Sequence, residues 1–120
     1  MKKDPVIFVS HVIESIGFIQ EDIQGVSWDD FMASRQLQDI VIRRIEIIGE
    51  AVKNLPPDVK DRYPDVPWKR IAGMRDILAH GYFGVDLDLV WKVAIDELGP
   101  LNLRLQEIRR ELEEGATPSG

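Results

Sequence analysis

The chain of 120 residues contains no cysteine and only two histidines, His11 and His80. Without cysteine it forms no disulfide and no thiolate metal site, and two histidines provide no cluster for zinc or another transition metal. No apolar run approaches the roughly 20 residues that span a bilayer. The N-terminal Met-Lys-Lys-Asp-Pro precedes an amphipathic pattern and not the apolar run of a signal peptide. The sequence therefore predicts a soluble cytoplasmic protein that needs neither a membrane nor a cofactor.

Positive charge is also scarce, with 15 lysines and arginines against 21 acidic residues and a formal net charge of −6. This balance argues against binding a long nucleic-acid duplex. The charge is unevenly distributed, because residues 43–75 carry 8 basic and 5 acidic side chains, whereas residues 1–42 carry 3 and 7 and residues 76–120 carry 4 and 9. The only positive third ends at Arg75. This pattern suits a compact RNA that touches one surface, or a basic partner protein that touches another.

Apolar residues recur at helical spacing along most of the chain, and no segment shows the sustained alternation of a strand. Caps, prolines and glycines divide this pattern into five predicted helices. These run from Asp4-Pro5 to Gly25, from the capping box Ser27-Trp28-Asp29-Asp30 to about residue 54, from Trp68 to about Ala79, from Leu87 to Leu98, and over residues 101–112. A proline-rich loop at residues 56–67 contains one short helical turn, and Gly99-Pro100 should break or kink the last part of the chain.

These elements predict an all-α, antiparallel bundle of four to five helices joined by short loops. We expect a single domain at residues 1–114 and a flexible tail at residues 115–120. The long second helix would expose more apolar surface than one thin bundle covers, which favours a homodimer.

The segment Arg75-Asp-Ile-Leu-Ala-His80-Gly-Tyr82 places a fixed cation, an imidazole and a phenol within eight residues. The planar guanidinium of arginine can bind a phosphate through several donors, and histidine can move protons near neutral pH. These two groups are the minimum needed to cut RNA without a metal. Residues 75 and 80 lie about 140° apart around an ideal helix. Either Gly81 therefore lets the last turn unwind, or a partner chain completes the site.

Structural explanations exist for the same residues. His80 could interact favourably with the C-terminal end of the third helix, where a cation is stabilised by the helix dipole. Tyr82 could be a turn aromatic that packs on the end of the bundle. Lys69 and Arg70 flank the motif, where they contact RNA phosphates or remain solvated at the surface.

Glu46 and Glu50 share one face of the second helix, since they are one turn apart. They could bind a metal or orient a neighbouring cation such as Arg43, Arg75 or Lys53. A salt bridge on the helix surface is the simpler interpretation.

The motif and its flanks, Ile48-Gly-Glu-Ala-Val-Lys-Asn-Leu55 and Trp68 to Asp86, resemble the HepT branch of the HEPN family of small all-α proteins. The resemblance extends over about residues 5–112. It departs from the family pattern at Asp76, where an asparagine is usual. The acid could orient His80 or Arg75 through a hydrogen bond, or it could weaken RNA binding.

The resemblance implies a metal-independent endoribonuclease toxin of a type II toxin–antitoxin pair, with tRNA as one candidate substrate. Arg75 would hold the scissile phosphate, and His80 would act as general base or acid. The resemblance also implies a homodimer whose motif residues line a shared cleft. The antitoxin would be a minimal nucleotidyltransferase of the MntA type, which transfers AMP from ATP to Tyr82. The alternative is a non-catalytic HEPN module that binds a nucleotide or docks the nucleotidyltransferase.

Overall fold

The computed structural model describes the backbone of residues 4–79 and 86–116, and their side chains except those of residues 75, 77–79 and 116. Most of the described residues are helical, and no strand occurs in the described ranges. This confirms the predicted all-α fold class. The elements are α1 (Pro5–Ile23), α2 (Trp28–Ala33), α3 (Arg35–Lys53), α4 (Pro57–Arg62), α5 (Trp68–Ala79), α6 (Leu87–Lys92), a π-helical turn (Val93–Glu97) and α7 (Leu98–Ala116).

Helix α1 begins and ends where its local sequence predicts. Pro5 occupies the first turn, where its missing N–H is not needed, and the Asp4 carboxylate accepts a hydrogen bond from the Val6 N–H at 2.9 Å. The helix ends at Ile23, and Gly25 follows with a φ of 75°. Glycine adopts this left-handed backbone without the steric cost of a Cβ, so the chain can turn directly into α2.

The predicted second helix is two helices. The capping box at Ser27 is present and opens α2, which has only six residues. Ser34 then adopts an extended backbone, and its hydroxyl accepts a hydrogen bond from the Leu37 N–H at 3.2 Å. The Gln38 side-chain amide donates to two carbonyl oxygens at the end of α2, at 2.9 and 3.1 Å. The prediction of one helix over residues 28–54 is therefore wrong, because a second N-cap at Ser34 starts a new helix.

Gly99-Pro100 does not break the helix in which it lies. Proline has no N–H, and its ring crowds the carbonyl four residues earlier. A π-helical turn lies directly before it, in which the Leu98 N–H donates to the Val93 carbonyl five residues back. Such a turn is a recognised way for a helix to adjust its hydrogen bonding and direction locally. Helix α7 therefore follows α6 and the π-helical turn without a loop. The expectation of a complete break at Gly99-Pro100 is wrong.

The core lies where four helices meet. Helix α3 is situated between α1 and α5, and α1 also packs against α7. The short α2 covers α6 through a contact between the rings of Phe31 and Trp91, which are tilted by 34° with their centroids 5.1 Å apart. The Trp28 indole also donates a 3.0 Å hydrogen bond to Asp88. The largest fully buried side chains are aliphatic or aromatic: Phe31, Ile16, Ile19, Ile48, Leu105 and Ile108. These residues belong to one core cluster, as expected for the helical bundle that the apolar spacing predicts.

The ends of the predicted domain are not tested. Helix α7 continues through Ala116, and the last four residues lie outside the described part of the chain. The boundary at residue 114, the flexible tail and the homodimer therefore stay predictions. No helix in the described residues combines the length and the apolar character needed to cross a bilayer.

Candidate functional site

Helix α5 carries the first residue of the motif. Its inner face is held firmly, because Trp68 and Ile71 are buried and the Trp68 indole donates to the Tyr63 carbonyl at 2.9 Å. Arg75 belongs to the helical backbone four residues before the helix ends at Ala79. Its side chain lies outside the described residues, as do His80 and Tyr82. Their grouping into one site therefore stays a prediction.

The predicted flanking residues of α5 lie at the protein surface. Lys69, Arg70 and Asp76 are all exposed to solvent. The Arg70 guanidinium forms an ion pair with the Glu97 carboxylate in the π-helical turn. Arg70 thus connects α5 to the π-helical turn. Asp76, which departs from the family pattern, lies on the last turn of α5.

Glu46 and Glu50 border a shallow cavity of about 360 Å³ between α1 and α3, together with His11. Glu46 pairs with Arg43 at 3.5 Å, which confirms a surface salt bridge for this residue. The Asn54 amide donates to the Glu50 carbonyl oxygen at 2.8 Å and to its carboxylate at 3.5 Å. Among the described residues, no group of three or more His, Cys, Asp or Glu side chains could hold a metal ion. The metal independence of the reaction is not tested by this finding and stays a prediction.

A larger cavity, of about 480 Å³, lies between α3, α5, the π-helical turn and α7. One side of its rim is an ion pair in which the Arg104 guanidinium donates to both carboxylate oxygens of Asp65, at 2.7 and 3.1 Å. This hydrogen bonding holds the pKa of Asp65 below its usual range and raises the pKa of Arg104. The cavity has no signature in the sequence, because its residues come from distant segments that only the fold brings together. The one nearby feature that the sequence predicted is the disturbance of the helix at Gly99-Pro100.

Known proteins resemble this chain over almost its whole length. The family model described as "Ribonuclease HepT-like" matches residues 12–108. The chain is 49% identical over 113 residues to a Methanocaldococcus jannaschii protein described as "Gamma-glutamylcyclotransferase and putative RNase". That match covers 94% of this chain and 51% of the relative, so the chain spans about half the length of that protein.

Two shorter relatives match over most of both chains. A "Putative RNase" of Caldanaerobacter subterraneus subsp. tengcongensis is 41% identical over 106 residues, which cover 88% of this chain and 95% of the relative. A "Probable ribonuclease HepT" of Thermococcus cleftensis is 37% identical over 110 residues, which cover 92% of this chain and 100% of the relative. No solved structure gives a significant match.

The family match contains α3, α5 and the whole Arg75–Tyr82 segment, and the resemblance inferred from that segment is confirmed. The chain therefore belongs to the HepT-like ribonuclease family, a family of RNA-cleaving enzymes.

Proposed function

We propose that this chain is a metal-independent endoribonuclease toxin in which Arg75 and His80 cut RNA. The observation that carries the proposal is the Arg-x4-His-x-Tyr motif in a chain that belongs to a ribonuclease family. Arg75 holds the scissile phosphate and stabilises the charge that develops on it. His80 removes the proton from the ribose 2′-hydroxyl or protonates the leaving 5′-oxygen. The products are then a 2′,3′-cyclic phosphate and a free 5′-hydroxyl.

The position of the basic residues supports an RNA substrate. The positive third of the sequence, residues 43–75, supplies most of α3 and all of α4, and ends within α5. Helix α3 packs directly against α5, so the two helices that carry most of these basic residues are neighbours in the bundle. A compact RNA such as a tRNA can contact the exposed basic residues of these helices, of which Lys69 and Arg70 are two.

The first experiment compares RNA cleavage by the parent, Arg75→Ala and His80→Ala in the presence of EDTA. We expect His80→Ala to lower the rate by about 10²–10⁴, the usual contribution of a proton-transferring side chain. Arg75→Ala should lower it by about 10²–10³, as expected when one donor that stabilises the developing charge is lost. His11→Ala is the matched control, because it removes the only other imidazole from an exposed position on α1, and it should keep the parent rate. Full activity of His80→Ala, or complete loss of cleavage in EDTA, would contradict the mechanism.

We further propose that a minimal nucleotidyltransferase antitoxin transfers AMP from ATP to the Tyr82 hydroxyl, with release of pyrophosphate. The added phosphate places a bulky anion two residues from His80, where it blocks the site and competes for Arg75. Intact-mass analysis after incubation with the nucleotidyltransferase, ATP and Mg²⁺ should show a gain of one or more AMP units. Tyr82→Phe should show no gain. Tyr63→Phe, which changes a buried phenol, should gain mass like the parent, and a gain in Tyr82→Phe would place the modification elsewhere.

A second candidate function is a non-catalytic module that binds a nucleotide or docks the nucleotidyltransferase. Asp76 favours it, because an exposed acid beside Arg75 adds negative charge where a phosphate should bind. Asp76→Asn separates the two functions. An increase in RNA cleavage would show that the acid only weakens an active enzyme, whereas no cleavage by either form, with the partner still bound, would support the module.

A further inference from the structure

Helix α1 carries apolar side chains on its outer side as well as on its buried side. Ile16 and Ile19 lie in the core, whereas Ile7 and Phe18 are 52% and 37% exposed. Ile7 and Phe18 are 11 residues apart, close to three helical turns, so they lie on the same side of α1. A helix on the surface of a bundle normally has one apolar stripe and a polar opposite face. The second apolar side of α1 therefore indicates a packing partner.

The neighbouring side of α3 continues this surface. Helix α1 packs along α3, and the Arg44 guanidinium lies over the Phe18 ring, 4.4 Å from its centroid. Ile40, one turn before Arg44, is 38% exposed, and Ile47 borders the shallow cavity between α1 and α3. Aromatic residues and arginine are enriched in protein–protein interfaces. We refer to this surface as the α1–α3 face: Ile7, Phe18, Ile40, Arg44 and Ile47.

The charges beside the α1–α3 face differ between its two helices. Helix α1 contains three acids and no lysine or arginine, whereas α3 contains four lysines and arginines and three acids. Glu14 and Glu21 of α1 are exposed, and neither pairs with a cation among the described residues. On α3, the side chain of Arg43 is 72% exposed and pairs with Glu46 of the same helix at 3.5 Å. Such an exposed pair is weak, so Arg43 can exchange it for an acid of another chain.

We propose that the α1–α3 face is a two-fold contact between copies of this chain, with α1 of each copy against α3 of the other. A two-fold contact requires a self-complementary surface. The acids of one α1 meet the arginines of the other α3, this contact is made twice, and the apolar side chains of both copies fill the centre.

This contact is separate from the motif. Helix α3 lies between α1 and α5, so the α1–α3 face is on the opposite side of α3 from the helix that carries Arg75. The contact therefore differs from the shared cleft that the family resemblance implies, and it does not depend on the proposed ribonuclease function.

The size of the face predicts a reversible assembly. Helices α1 and α3 have 19 residues each, which corresponds to a length of about 28 Å, and packed helices lie roughly 8–10 Å apart. The face therefore covers on the order of 500 Å² of each chain, below the roughly 800 Å² per partner of a standard stable interface. We expect the molar mass of the assembly to rise with protein concentration.

The first test measures molar mass against protein concentration by size-exclusion chromatography with light scattering. Ile7→Asp and Phe18→Asp should each raise the Kd of the assembly by about tenfold or more, because a charge then replaces an apolar group in the contact. Leu103→Asp is the matched control, since Leu103 is 66% exposed on α7 outside the face, and it should assemble like the parent. A parent that stays monomeric, or an assembly that neither α1 variant weakens, would overturn the proposal.

Charge reversal tests whether the partner is a second copy of the chain. The Glu14→Lys/Glu21→Lys protein places cations against arginines, and the Arg43→Glu/Arg44→Glu protein places acids against acids. Each protein alone should assemble less than the parent, since like charges across an interface repel. An equimolar mixture of the two should regain the molar mass of the parent, because opposite charges again face each other. A mixture without recovery would overturn the pairing of α1 with α3 and leave the face to a different partner.

Discussion

Gly25 is the clearest single-residue requirement of the fold. Its φ of 75° is the only positive φ among the described residues, and a residue with a Cβ pays about 1–2 kcal/mol in this conformation. We expect Gly25→Ala to lower the free energy of unfolding by about that amount. Chemical denaturation followed by far-UV circular dichroism measures the change.

Gly17 provides the matched control for this prediction. It lies inside α1, and a Cβ added there meets no heavy atom within 4 Å. Gly17→Ala should therefore raise the free energy of unfolding by about 0.5–1 kcal/mol, since alanine loses less backbone entropy in a helix than glycine. Equal effects of the two substitutions would contradict the role assigned to the left-handed backbone at Gly25.

At the scale of single elements, the start of α3 depends on Ser34. Its hydroxyl caps the helix through the Leu37 N–H at 3.2 Å, and loss of such a cap typically costs about 1 kcal/mol. We expect Ser34→Ala to destabilise the protein by this amount in urea denaturation. Ser10→Ala changes the same atoms inside α1 and should be neutral or slightly stabilising, because alanine is the better helix former. A neutral Ser34→Ala would show that Gln38 alone holds the junction between α2 and α3.

Helix ends were predictable where one local signal was decisive. The proline after Asp4, the capping box at Ser27 and Pro67 each act within a few residues, and the helices that follow them begin where the sequence predicts. Ser34 was missed because serine is tolerated inside helices and the apolar spacing continues on both sides of it. The π-helical turn was missed because proline predicts a disturbance of the helix but not its form.

The candidate site was also predictable only in part. The motif residues Arg75, His80 and Tyr82 were recognisable because they are close in sequence and match a family pattern. The cavity at Glu97 was not predictable, since its walls come from helices that only the folded bundle brings together. The ion pair of Asp65 and Arg104, 39 residues apart, has no local signature for the same reason.

At the scale of the whole molecule, that ion pair ties the loop before α5 to α7. The bond to Arg104 lowers the pKa of Asp65 in the folded protein. Its contribution to stability is therefore fully present above the unfolded-state pKa of about 3.9 and is lost as the pH falls through the lower, folded-state pKa. Asp65→Asn should be less stable than the parent at pH 7, and the difference should shrink as the pH falls below about 4.

Thermal unfolding of both proteins across this pH range checks the prediction. Asp61→Asn, which removes an exposed carboxylate of α4, is the matched control and should show a smaller difference from the parent. Added salt should also reduce the effect of Asp65→Asn, because exposed charges are screened. A difference that persists unchanged at pH 2 would mean that Asp65 acts through packing and not through its charge.

The three tryptophans of the molecule occupy three different environments. Trp28 on α2 is 46% exposed, Trp68 at the start of α5 is buried at 7%, and Trp91 on α6 is partly buried against Phe31. A fluorescence quencher dissolved in water should therefore reach Trp28 first and Trp68 last. Each tryptophan left alone, with the other two changed to phenylalanine, becomes an optical reporter of one region. The detachment of α2 from α6 can then be timed separately from the opening of the helix that carries Arg75.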